Sequence, residues 1–199
     1  VTEASAIEAK RYSPARLEAL AASLKERTRA PQGVADFIEK LGDAGVKFLV
    51  LSHLAKTYLD GASFWSGKNP VIVYTARYDR IDNFWWTLAH ELSHVILHLK
   101  EGSLSFLDDL EDSEHLSKQE READDYAAKL LGVKKLLSSA EPYRRYFSEA
   151  RLLEIADACG LDPSVALGIL QHHGYIDYRS LSRYRRTVLD QISPGLVKG

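Results

Sequence analysis

Apolar residues recur at helical spacing over residues 14–29, PARLEALAASLKERTR, where Leu17, Leu20, Ala21 and Leu24 share one face. Pro14 stands near the start, where a helix tolerates it. A second helix is expected over Gly33–Leu41, ending at Gly42. The period then shortens. Val46–Ser52 (VKFLVLS) is a compact β-rich run, and Gly61–Trp65 and Pro70–Thr75 offer two more strands around the turn-prone SGKN. From Ile81 to Leu99 there is neither Gly nor Pro, and apolar residues lie on several faces, the pattern of a helix buried inside a domain. The next helix, Lys118–Leu131, closes at Gly132, followed by helices over Glu149–Ala158, Pro163–His172 and about Tyr178–Gln191. Three strands followed by a helical C-terminal part make the chain α+β.

Composition narrows the class. The chain has 199 residues, 45% hydrophobic and 27% charged, as a folded globular protein does. Its one cysteine, Cys159, can form no internal disulfide, which points to a reducing, cytoplasmic compartment. No apolar run approaches membrane-spanning length. A formal net charge of −2 argues against nucleic-acid binding over the whole surface. The basic residues Arg179, Arg183, Arg185, Arg186 and Lys198 could contact phosphates locally, but a solvated face is the commoner explanation. From Val1 and the absence of methionine the expectation is a processed form or a fragment, with a further N-terminal domain absent.

Chemistry concentrates at His90-Glu91-Leu92-Ser93-His94. Two histidines at i and i+4 lie one helical turn apart, so their imidazoles can converge on one metal ion. The glutamate after the first histidine can then reach a water on that ion and take its proton. Hydrogen-bonded core histidines are the bland alternative. A catalytic zinc takes three protein ligands. His98 continues the series but stands about 12 Å from His90 along the helix axis, too far to share the ion, and reads as a surface or cleft histidine. Glu120-Arg121-Glu122-Ala123-Asp124 offers Glu120 as third ligand and Asp124 as acceptor for a ligand N–H. Glu122 points away from Asp124 and is expected to be solvated. Spacing alone also permits an ordinary charged helix face here.

The segments FWWTLAHELSHVILH, EREADDYAAKLL and LGILQHHGYI together resemble the ImmA/IrrE family of metallo-endopeptidases. Tyr126 stands where Phe is usual, and Ser93 where Gly is common. The resemblance implies a zincin-like fold, with a small twisted sheet beside the HExxH active-site helix. It further implies Zn2+, with Mn2+ as an alternative, bound by His90, His94 and Glu120, and Glu91 as the base. The peptidase domain would span residues 45–190, after a helical extension or linker at 1–44 and before a tail at 191–199. The implied function is that of an endopeptidase of narrow specificity linked to transcriptional or stress regulation. Its substrate would be a DNA-binding regulator, and a helix-turn-helix domain is often fused or associated. The alternative is a metal-binding sensor that cleaves nothing.

Peptide hydrolysis also needs a donor for the developing oxyanion. The candidates are Tyr126, His172, His173 and Tyr175, with His172 and Tyr126 the first choices; a solvent-exposed His pair at a helix end is the alternative for 172 and 173. Glu101, Asp108, Asp109, Glu111, Asp112 and Glu114 form an acidic segment between the two ligand-bearing helices. It is expected to lie at the cleft and attract basic partners.

Overall fold

A computed structural model describes residues 7, 9–51, 59–99 and 113–198, with the side chains of 113–117 excepted. Two helices fill the first predicted helical stretch: α1 (Pro14–Ala22) and α2 (Leu24–Arg27). They part at Ser23, whose hydroxyl donates to the Leu20 carbonyl at 2.8 Å and so competes with the helix ladder. Helix α3 (Gly33–Ala44) runs past the expected stop at Gly42. Gly45, at φ 84°, ends it instead, and Val46 N–H reaches back to the Leu41 carbonyl at 2.8 Å.

The three expected strands form as β1 (Lys47–Leu51), β2 (Gly61–Ser66) and β3 (Asn69–Thr75). A fourth, β4 (Val197–Lys198), lies in the stretch expected as a tail. The sheet order is β2-β3-β1-β4, with β2 antiparallel to β3 and the other pairs parallel. Gly67, at φ 66°, makes the β2–β3 turn. Helix α4 (Ile81–Leu97) packs on β2 and β3, and α5 (Ser113–Leu131) packs along α4. Then follow α6 (Val133–Ala140), α7 (Glu149–Cys159) and α8 (Pro163–His172), which packs on α4. Residues 101–112 of the acidic segment lie outside the described residues.

Helix α4 is as apolar as its sequence suggests. Phe84, Trp85, Leu88 and Leu92 are buried in one cluster with Phe37, Phe48 and Tyr74. Trp85 meets Phe37 and Phe84 edge-on at 5.6 and 5.3 Å. Leu17, Leu20, Val34 and Phe37, from the stretch expected as an extension, belong to this cluster, as do Leu152, Val165 and Leu170. Among the described residues no helix is long and apolar enough to cross a membrane.

The helix expected over Tyr178–Gln191 does not form; single turns at Ser182–Tyr184 and Leu189–Gln191 take its place. Tertiary bonds override the local pattern. One Asp79 carboxylate oxygen accepts from Val188 and Leu189 N–H at 2.8 and 2.9 Å. The Arg186 carbonyl accepts from Ile81 N–H at 3.0 Å, satisfying an amide that the start of α4 leaves without an intrahelical partner.

Candidate metal centre

Two helices and one strand meet at the HELSH turn. On α5, Ala123 and Ala127 are fully buried, their small side chains suiting close approach to α4. The helical repeat puts His90 and His94 on the face turned to α5, with Glu120 opposite. The Nε2 atoms of His90 and His94 lie 3.0 Å apart. Glu120 Oε2 is 3.2 Å from His90 Nε2, and Oε1 is 3.4 Å from His94 Nε2. One donor atom from each of the three residues falls within 4.8 Å of the others, the convergence a single ion needs. Two imidazoles and a carboxylate suit a borderline cation such as zinc.

A further layer of contacts holds these donors. His90 Nδ1 is 2.9 Å from Asp124 Oδ1. His94 Nδ1 is 3.1 Å from His98 Nδ1, and His98 Nε2 is 3.1 Å from Glu122 Oε2. Glu122 is exposed, as expected, yet its carboxylate also meets an imidazole, and the His98 side chain is only 7% exposed.

Glu91 turns to the other flank of α4, toward the sheet, and is 6% exposed. The period of two along β2 puts Gly61, Ser63 and Trp65 on one face. Ser63 hydrogen-bonds the Glu91 carboxylate. Gly61 leaves the space: a Cβ there would lie 2.7 Å from Glu91 Oε1 and 2.6 Å from Thr87 Cγ2. Sequence reading missed both residues. A glycine inside a strand does mark a close backbone approach, so Gly61 carried a usable signal; Ser63 carried none.

Charge and burial act differently on the two flanks. Burial raises the pKa of Glu91, although His90, His94 and Ser63 pull it down. Burial would depress the His90 imidazolium, but the Glu120, Glu91 and Asp124 carboxylates outweigh it and raise the pKa to about 9. Hydrogen bonds from His90 and His94 hold Glu120 well below the usual carboxylate range.

The two first-choice oxyanion donors, His172 and Tyr126, lie apart. His172 stacks on Trp86, with ring centroids 6.5 Å apart and planes at 25°. Trp86 is one turn before His90 on α4, and both rings line a cavity of about 370 Å³ with Tyr78, Arg80, Ile169 and Tyr178. Gly168 lets α8 approach there, since a Cβ on it would lie 2.3 Å from Asp82 Oδ2. Tyr126 occupies a shallow depression with Leu97, Glu122, Asp125 and Lys129. The Tyr175 hydroxyl is bonded to Glu141.

The sequence profile described as the IrrE N-terminal-like domain, Peptidase_M78, matches residues 42–167, more than half of the 199. The chain belongs to the M78 peptidase family. No curated protein matches the sequence. M78 peptidases are metal-dependent, and the matched span contains His90, Glu91, His94, Glu120 and Asp124 but ends before His172.

Proposed function

We propose that this M78 domain is a zinc endopeptidase, with His90, His94 and Glu120 as metal ligands and Glu91 as general base. The observation that carries the proposal is the placement of Glu91: a buried carboxylate one residue from a ligand histidine, held by Ser63 and fitted against Gly61. When bound, a zinc or manganese ion supplies Lewis-acid polarisation and lowers the pKa of water. Glu91 takes the proton of the attacking water and returns it to the leaving amine nitrogen. Its raised pKa makes that return easier than an ordinary carboxylate would. Asp124 fixes the tautomer and orientation of His90 by accepting its Nδ1–H.

Strand β2 is the outer strand of the sheet, and among the described residues its far edge carries no partner strand. An extended substrate can pair with that edge and pass beside Glu91. His172 is the preferred donor to the carbonyl oxygen, because its partner Trp86 shares the α4 face one turn from His90; Tyr126 is the alternative. The substrate is proposed to be a DNA-binding regulator with basic segments, cleaved in the cytoplasm. The buried, lone Cys159 suits a reducing compartment.

The test is Glu91→Gln. It should keep the fold and bind one zinc per chain while cleavage of any protein substrate is lost. Equal behaviour of wild type and Glu91→Gln in every cleavage assay would instead favour a metal-binding sensor.

A further inference from the structure

Three histidines occupy successive turns of α4 and its end: His90, His94 and His98. The third is too far along the axis to share an ion with the first, yet its side chain is largely covered and aimed at the second. We infer that His98 and Glu122 form a positioning pair for His94, holding its ring so that Nε2 faces the metal position.

Donor and acceptor bookkeeping leaves one consistent arrangement. His94 turns Nε2 toward His90 and Glu120, so when that nitrogen coordinates a metal it carries no proton and the ring proton resides on Nδ1. The His94 Nδ1 and His98 Nδ1 atoms are 3.1 Å apart and share one proton between them. His94 donates it, so His98 Nδ1 accepts, and the His98 proton is on Nε2. That nitrogen is 3.1 Å from Glu122 Oε2, a carboxylate that can only accept. The chain of bonds therefore runs from His94 through His98 to Glu122, with each step fixing the tautomer of the one before.

The helix end makes the arrangement possible. His98 N–H still bonds to the His94 carbonyl at 2.9 Å, with His98 as the capping residue of α4. One residue fewer of helix would leave no ring below His94. Glu122 comes from α5, two residues beyond Glu120, so the helix that supplies a direct donor also anchors the relay. Lys118, 3.7 Å from the other Glu122 oxygen, steadies the carboxylate. The two ligand histidines are thus backed in different ways: His90 by a carboxylate directly, His94 by a carboxylate through a second imidazole.

This inference rests on the metal-site reading above, and the experiment separates the two. Zinc affinity is measured by chelator competition, with Co2+ absorption as a report on ligand geometry. His98→Phe keeps a ring of similar size but no acceptor, and should weaken zinc binding roughly 10–100-fold and shift the Co2+ bands. His98→Gln, whose amide oxygen can accept from His94, should recover much of the loss. Glu122→Ala, a change on a half-exposed side chain, should weaken binding less. Combined with His98→Phe it should add nothing, because it acts only through His98. Wild-type affinity and spectrum in both His98→Phe and Glu122→Ala would overturn the pair, as would full additivity. A wild type that binds neither cation would overturn the metal site and this inference with it.

Discussion

The two flanks of α4 are built from different physics. Toward the sheet, Glu91 meets a backbone without a side chain, a serine hydroxyl and little water. Toward α5, His90 and His94 meet carboxylates that are about half exposed. Burial governs the first flank and raises a carboxylate pKa; hydrogen bonds from two imidazoles govern the second and lower one. The lesson is that adjacent residues, 90 and 91, can be given opposite environments because one helical step turns a side chain by about 100°. The ligands are gathered by hydrogen bonds, whereas the base is shaped by space.

The contrast breaks most severely at Glu120. Glu120→Ala should lower zinc affinity beyond the roughly 10–100-fold cost of losing an outer partner, read by metal content after dialysis. Undiminished binding in Glu120→Gln would remove it from the ligand set. On the other flank, Gly61→Ala should leave zinc content unchanged yet reduce cleavage about 10²-fold, since the new methyl displaces the Glu91 carboxylate. Equal loss of metal and activity there would mean that the flanks are not separable.

Asp124→Ala is the milder test of the charged flank. Zinc affinity should fall roughly 10–100-fold while the fold and Glu91 stay in place, as titration calorimetry can show. A last test of the charged flank is in pH. His90 must shed its proton to coordinate, so zinc affinity should rise about tenfold per pH unit until about pH 9 and then level off. The sign for metal-free stability is opposite. The pairing of protonated His90 stabilises fully below its ordinary pKa of about 6.5 and is lost as pH climbs to about 9. Thermal melts of chelator-treated protein across that range check it.

Much of the ligand flank was legible because helical spacing is arithmetic. Residues 90 and 94 share a face in any helix, and 120 and 124 share one in another. What spacing cannot reveal is which two faces meet. Glu122 is solvated as its own helix suggests, but its contact with His98 across the helix pair was not legible, and His98 looked spare when tested only as a ligand. The base flank depended on a strand laid across α4, so Ser63 was invisible, while Gly61 left a trace. Residues 178–191 had helical periodicity, but the Asp79 carboxylate and the first amide of α4 claimed their backbone groups. Local pattern prevails where the backbone's partners are local.

Splitting the donors between α4 and α5 has a further consequence, for chain entropy. His94 and Glu120 are 26 residues apart in sequence, so a cation gripping both closes a loop much as a covalent bridge would. Binding only the folded chain, it raises the unfolding free energy by about 2.7 kcal/mol at a hundredfold excess over its dissociation constant. The ion is then a clasp as well as a reagent. Chelation should lower the melting temperature and let α5 lift first, baring the alanine seam to amide exchange before the sheet and α4 give way.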